Sequence, residues 1–244
     1  MNFVTGGAKL LAIKRTLMAL AALLTIAGPT QAHLRDYLVT RPYWTPQKGG
    51  VEAEVYNDFK NTDNNSTVFT NQIELEYGLT SRLALGIYAV SEKEGSRPLE
   101  YARTKIEGRY RLAEPGRLAM DPAIYAEYKL GANGRPDEIE TKLLLSKDFG
   151  PGQIMNITVN GIFEKSREPG SRWEKGFALG LSRVLSFRTT AGIELTNVEN
   201  KTYAIPGVYV RIGTGKRLNI GAAFGLSDAA DDFQLRTILE IESF

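Results

Sequence analysis

The feature that most constrains this chain is a two-residue alternation of apolar and polar side chains that recurs from Gly50 to the end. The stretch "YGLTSRLALGIYAV" (77–90) shows the unit. Before a short polar join, Ile73, Leu75, Tyr77 and Leu79 alternate with Gln72, Glu74, Glu76 and Gly78; after it, Leu83, Leu85, Ile87 and Ala89 alternate with Ala84, Gly86, Tyr88 and Val90. Period two denotes a strand, and so short a join denotes a hairpin. The same parity runs through Val51, Ala53 and Val55, through Ala102, Thr104 and Ile106, and through Leu118, Met120, Pro122 and Ile124. It continues in Leu143 and Leu145, in Ile157 and Val159, in Phe187, Thr189, Ala191 and Ile193, and ends in Leu235, Leu239 and Ile241. The pattern predicts roughly twelve strands of about ten residues, the length that crosses a bilayer at a tilt.

Parity alone leaves two folds open. In a soluble barrel the apolar face points inward; in a membrane barrel it meets lipid and the polar face lines a lumen. Three features favour the membrane. A soluble barrel of this many long strands needs an unusually large apolar interior. Lys9, Lys14 and Arg15 precede the apolar run "LMALAALLTIAG" (17–28) and the small-residue stretch ending at Ala32, the layout of a secretory signal rather than an uncleaved anchor. The formal charge of +2 drops to about −1 without residues 1–32, so the basic balance belongs to that leader and gives no reason to expect nucleic acid. Finally, the joins form two classes. Short ones are expected at 79–82, 113–116, 150–152, 182–186 and 213–216, and longer polar ones at 61–67, 91–98, 131–138, 165–172, 197–201 and 227–232. Short turns at one rim and longer loops at the other suit an outer-membrane barrel with an even strand count and both termini periplasmic.

The expected organisation is a signal peptide over 1–32, an irregular periplasmic segment over 33–49 and an all-β, antiparallel transmembrane barrel over 50–244, in the outer membrane of a Gram-negative cell. "HLRDYLVTRPYWTPQKGG" (33–50) either enters the lumen as a plug or rests on the membrane interface. Aromatic residues near strand ends read as girdles at both interfaces: Tyr77, Tyr110, Phe149 and Phe187 at the short turns, and Phe59, Phe69, Phe163, Trp173 and Phe233 at the loops. The partners expected are outer-membrane lipid, small solutes, and the barrel assembly machinery through a last strand ending at Phe244, although Phe244 falls out of the apolar register.

"ELEYGLTSRLALGIY" (74–88), "KIEGRYRLAEPG" (105–116) and "GAAFGLSDAADDFQLRTILEIESF" (221–244) resemble the transporter-like outer-membrane barrels of the MetA-pathway-of-phenol-degradation family. The resemblance covers most of the barrel and implies a channel or transporter. It rests on turns and strands, and implies no catalytic residue.

Little else points to chemistry. There is no cysteine, and the one histidine, His33, precedes the first strand. Barrel hydrolases need a histidine base within about 3 Å of the nucleophile, so an enzyme is the weakest reading. A lone imidazole makes a poor metal site, and no cofactor is expected. "GTGK" (213–216) lacks the spacing of a phosphate loop and reads as a turn. The inward parity is richer. Glu52, Glu54, Glu74, Glu76 and Glu240 form an acidic wall, with Glu242 beside it. Arg103, Lys105, Arg109 and Arg111, with Glu107 among them, form a basic line on the fourth strand; Arg188, Arg211 and Arg236 add further positive charge. Ala84, Gly86, Gly176, Ala178, Gly180, Gly192, Gly221, Ala223 and Gly225 are small and are expected to leave lumen space. Facing walls of opposite charge select ions in pores. The same charges can instead pair across a narrow lumen and close it, leaving a structural barrel whose loops contact an external partner.

Overall fold

The computed structural model describes residues 37–61 and 67–243, with the side chain of Ser243 excepted; the expected signal peptide, His33 and Phe244 lie outside the described residues. The alternation becomes twelve strands: β1 (Val51–Asn61), β2 (Thr67–Gly78), β3 (Leu83–Glu94), β4 (Glu100–Arg111), β5 (Asp121–Gly131), β6 (Glu138–Phe149), β7 (Met155–Ser166), β8 (Glu174–Val184), β9 (Thr189–Val198), β10 (Lys201–Gly213), β11 (Lys216–Gly225) and β12 (Phe233–Ser243). Each pairs antiparallel with its sequence neighbours, and β1 closes on β12 in the register Val51↔Ser243 to Lys60↔Gln234. Closure leaves no strand edge unpaired. The start of β1 and the end of β12 therefore share one rim, called here the near rim; the far rim carries 95–99, 132–137, 167–173, 199–200 and 226–232.

Side-chain exposure fixes which face is which. Ile87, Ile106, Ile124, Leu143, Ile193 and Val208 are each about half exposed, whereas Glu74, Glu194 and Glu240 are at most 1% exposed. Apolar side chains out and carboxylates in is the reverse of a soluble barrel, and only a lipid surround makes that exterior favourable. Exposed rings border both rims: Tyr77, Tyr110, Phe149 and Phe187 at the near one, Phe59, Phe163, Trp173 and Phe233 at the far one. Phe59 packs on Phe69 across β1 and β2, with centroids 4.9 Å apart.

The structure corrects the expected elements in four places. Leu118 and Met120 precede β5, because the connection from β4 runs through 112–120; Asp121 then accepts the Gly116 N–H at 2.6 Å. The join expected over 197–201 is a two-residue turn, Glu199–Asn200, with φ of 55° and 64°, the paired positive values of a type I′ hairpin. The contrast in loop length between the rims is accordingly shallower than expected. Phe187 and Arg188 lie in the 185–188 turn rather than on β9. Ala102 is fully buried, not lipid-facing. A bulge shifts the β3–β4 register between Val90↔Arg103 and Ser91↔Tyr101, turning Ala102 into the lumen and Tyr101 out.

The described part of the N-terminal segment is irregular and lies inside the barrel. Tyr37, Leu38, Thr40, Arg41 and Tyr43 are buried. Of the two places the sequence left open, plug or interface, the chain occupies the lumen.

Candidate functional site

A coil in a lumen must have its backbone groups satisfied by side chains, because no ladder serves them. Inward positions of β6, β7 and β9 do this. The Glu194 carboxylate accepts three successive backbone N–H groups, from Leu38 at 2.7 Å, Val39 at 3.0 Å and Thr40 at 2.6 Å. Successive N–H groups converging on one anion form a nest, here filled by the protein's own side chain. The Asn160 amide clamps Arg41 from both sides: its Oδ1 accepts the Arg41 N–H at 2.7 Å and its Nδ2 donates to the Arg41 carbonyl at 2.8 Å. The Tyr43 N–H reaches Ser146 Oγ at 3.3 Å, the Tyr37 hydroxyl donates to Asn156 Oδ1 at 2.6 Å, and Arg236 donates to the Leu38 carbonyl at 3.0 Å.

The small residues expected to leave lumen space make room for this segment instead. A Cβ on Gly180 would overlap the Tyr37 ring, and one on Gly221 would overlap Leu38 Cδ1. Gly192 faces the Tyr209 ring, and Gly86 lies under Glu107. A packed cluster joins Leu38 to Tyr56, Tyr88, Val90, Ala102, Ile205, Tyr209, Ala223 and Ile238, and a second joins Tyr43 to Ala123, Tyr125 and Leu144.

Arg41 carries the segment's charge into the acidic wall. Its guanidinium lies 3.3 Å from Glu107 Oε2 and 3.6 Å from Glu74 Oε2, contacts the Tyr88 hydroxyl, and sits about 6 Å from the Tyr88 and Tyr125 ring centres. Tyr88 donates to Glu107 Oε2 at 2.5 Å, and Tyr56 donates to Glu74 Oε2 at 2.7 Å. Buried charges persist when paired and hydrogen-bonded in this way.

The expected basic line does not face open water. Arg109 reaches across β3, over Ala84 and Gly86, to bind both oxygens of Glu76 at 2.5 and 2.6 Å. Arg103 pairs with Glu138 at 3.0 Å, and Lys105 lies 4.0 Å from Glu127. Arg111 donates to the Ser81 carbonyl at the near rim. Arg236 pairs with Asp58 at 2.5 Å. Arg188 and Arg211 are exposed near the near rim, Arg211 opposite Arg217 of β11. On the acidic side Glu52, Glu54, Glu74, Glu76 and Glu240 are all buried, and the register sets Glu52 opposite both Glu242 and Glu76, and Glu54 opposite both Glu240 and Glu74. Asn219 donates to Glu240 Oε1 at 2.6 Å.

Three positions that fix the segment in the lumen escaped sequence reasoning. Arg41 stood in a stretch with no periodicity. Asn160 is one of many inward polar residues. Glu194 carried a readable signal: it is the one charged residue on an inward line otherwise made of Thr190, Gly192 and Thr196.

Among the described residues, cavities flank the segment on two sides. One of about 330 Å³ lies toward the far rim, with Leu38 and Val39 against it and Asp58, Lys201 and Arg236 in its wall. One of about 380 Å³ lies at the near rim, lined by Tyr43, Trp44, Lys48 and Arg111. Beside Arg41 and Arg109 lies a gap of about 20 Å³, room for roughly one water.

No protein-family model matches the sequence, and no curated protein matches it. Solved structures do match the fold. An outer membrane channel from Pseudomonas putida F1 aligns with a TM-score of 0.60 at 13% identity, over 82% of this chain and 97% of that one. A KdgM porin in complex with disordered oligogalacturonate aligns at 0.55 and 7% identity, over 79% and 98%. A NanC porin aligns at 0.55 and 8% identity, over 79% and 98%. With its lipid-facing exterior and closed antiparallel sheet, this chain has the fold of the channels and porins of the Gram-negative outer membrane.

Proposed function

We propose that the protein is an outer-membrane channel for passive passage of small polar or charged solutes, and that residues 37–46 hold it closed in this conformation. The observation that carries the reading is the pair of cavities of about 330 and 380 Å³ on either side of one coil segment. In a barrel whose function were only structural, side chains of the wall would suffice to fill the interior; here a separate, non-ladder segment divides it. Asp58, Lys201 and Arg236 border one cavity and Arg111 the other, so a charged solute meets polar walls on both sides of the closure. Arg103, Lys105 and Arg109 act on solute only once the segment leaves, since they now serve ion pairs within the wall. The resemblance to transporter-like barrels agrees with this reading. The rim shared by both termini is taken as periplasmic, and β12 as the strand presented to the assembly machinery. No residue is assigned a catalytic role.

Planar-bilayer conductance of the folded protein, against a variant lacking residues 37–46, tests the proposal. The intact protein is expected to conduct weakly or in brief openings, and the deletion to conduct steadily. Silence from both, with the deletion folded, would overturn the channel reading in favour of a barrel sealed by its own charge pairs.

A further inference from the structure

The charges at the centre of the lumen do not balance. Among the described residues, three carboxylates meet there, those of Glu74, Glu76 and Glu107, against the two guanidiniums of Arg41 and Arg109. Uncompensated carboxylates in so buried a place must take up either protons or a cation. The local geometry distinguishes the two. One oxygen from each of Glu74, Glu76 and Glu107 lies within 4.8 Å of the others. That is about twice the 2.3–2.6 Å distance at which Ca²⁺ binds carboxylate oxygen, so one ion can touch all three.

Arg41 takes the opposite side of two of these carboxylates, while Arg109 holds both oxygens of the third, Glu76. Arg41 and the Tyr56 hydroxyl address Oε2 of Glu74; Arg41, Tyr88 and Tyr125 address Oε2 of Glu107. The Oε1 atoms of both residues are buried without a hydrogen-bond partner, and the nearest cation to Glu107 Oε1 is Arg109 at 3.9 Å. Glu74 is 0% and Glu107 2% exposed, so solvent does not serve these atoms. Beneath them is Gly86, where a Cβ would stand 2.7 Å from Glu107 Cγ and 3.4 Å from Glu74 Oε1. The missing side chain lets both carboxylates lie close over the β3 backbone.

We propose that Glu74, Glu76 and Glu107 form a site for a hard divalent cation of the calcium class, with Glu74 Oε1 and Glu107 Oε1 as its freest ligands. All-oxygen, carboxylate-rich sites select hard cations over softer metals. Because Arg41 shares the same carboxylates, the ion sits at the junction of wall and segment. Its charge offsets what the two arginines leave unbalanced, and so consolidates the closed lumen.

The test uses the full mature protein folded in detergent and stripped with chelator. Terbium is the optical probe, sensitised by Tyr56 and Tyr88, which hydrogen-bond the proposed ligands. Wild type is expected to show sensitised emission that Ca²⁺ displaces, and a thermal midpoint that rises with Ca²⁺. Glu74→Gln should weaken terbium binding at least about tenfold and abolish the Ca²⁺ response. Glu140→Gln, a lumen carboxylate paired with Lys142 at 2.8 Å, should leave both responses unchanged. If Glu74→Gln fails to fold, the wild-type titrations decide alone. A wild-type midpoint that rises on acidification but not with millimolar Ca²⁺ would overturn the proposal, with protons as the neutralising species. So would a Glu74→Gln protein that responds like wild type.

Discussion

The two halves of the lumen wall hold the same segment by different physics. From β12 through β1 to β6 the inward face is ionic: Glu52, Glu54, Glu74, Glu76, Glu107, Glu127, Glu140 and Glu240 stand among Lys105, Arg109, Lys129 and Lys142. From β7 to β11 it is mostly neutral, with many small residues: Asn156, Thr158, Asn160, Ala178, Gly180, Ser182, Thr190, Gly192, Thr196, Gly207, Asn219 and Gly221 stand with Ile162, Ile205 and Tyr209, and the charges among them are Glu164, Glu194 and Arg217. The ionic half grips the charge of Arg41, and besides it binds the Leu38 carbonyl through Arg236, binds the Tyr43 N–H through Ser146 and packs on the Tyr43 ring. The neutral half receives backbone and ring: Glu194 and Asn160 take the main-chain groups of 38–41, and Gly180 and Gly221 admit Tyr37 and Leu38. A charged wall specifies a contact by pairing, and it is costly to leave half-paired. A small-residue wall specifies by shape, and its loss is graded.

Breaking the ionic grip should therefore have the largest effect. Arg41→Met removes the cation facing Glu74 and Glu107 and leaves both carboxylates under-compensated in a buried place. The expected loss is about 3–5 kcal/mol of stability, the range for removing one partner of a buried ion pair. Denaturant unfolding in micelles measures it. A loss under about 1 kcal/mol, the ceiling for exposed pairs, would mean that water or protons already neutralise the cluster and that the two halves do not differ in kind.

The outer face offers a control, because there the halves should behave alike. Leu143 on β6 and Ile193 on β9 are mid-strand and about half exposed toward lipid. Arg at either is expected to cost about 2–4 kcal/mol, as at a bilayer midplane. Gln234→Arg, beside the far-rim cavity, should cost far less because its side chain has space and polar neighbours. Adjacent inward positions are not good controls: Leu144 packs on Tyr43, and Asn160 clamps Arg41. Unequal costs at Leu143 and Ile193 in folding titrations would show that the exterior also divides into halves.

The grip of the neutral half should come next. Glu194→Gln keeps one neutral acceptor oxygen for three N–H groups, so all three lose a charged partner and at least one loses its acceptor. An unsatisfied buried donor costs about 1–3 kcal/mol. Hydrogen exchange at Leu38, Val39 and Thr40 reads the change locally and should accelerate, while Arg41 retains its Asn160 bond. Acceleration spread evenly over 37–46 would mean that the segment is held as one unit and that the division into two grips fails.

How much of this was written in the sequence follows from where the information lies. Barrel, parity and most strand positions were legible because alternation is a local property repeated along each strand, as Leu83–Leu85–Ile87 illustrates. The places that failed depend on partners outside the window. Ala102 turned inward because β3 and β4 shift register at Val90, and nothing in Ala102's own surroundings announces that. Arg103, Lys105 and Arg109 were legible as inward-facing, but not as paired. Whether an inward arginine meets water or a carboxylate depends on what stands across the neighbouring strand, and Arg109 reaches Glu76 only because Ala84 and Gly86 are small. The glycines of β8 and β11 were legible as space, and their occupant was not. A coil such as 37–46 has no period, so its place is set by the groups that satisfy its backbone.

The loops give the smallest effect and a last check on the comparison, since each half carries one loop aspartate with a depressed pKa. In the β5–β6 loop, the Tyr128 hydroxyl at 2.8 Å and the Gly131 N–H at 3.0 Å hold the Asp137 carboxyl below its ordinary range. In the β11–β12 loop, partial burial pushes Asp231 upward, but hydrogen bonds from Lys60 and Tyr203 outweigh it and hold that carboxyl low as well. An acid whose pKa is lower folded than unfolded adds stability above the unfolded value and loses it as pH falls through the folded one. Both loops should therefore loosen on the acid side, below the ordinary aspartate range near 3.9. The causes differ in balance. Asp137 depends chiefly on neutral donors, with a smaller part from the Arg167 charge, and should drift little in high salt, whereas Asp231 depends more on the Lys60 charge and should drift further upward as salt screens it. Carboxyl carbon shifts followed by NMR against pH, in low and high salt, read both residues in one sample. Tyr128→Phe should return Asp137 toward its ordinary value with little change at Asp231. Equal salt sensitivity at the two would mean that the loops do not share the contrast in physics found in the wall beneath them.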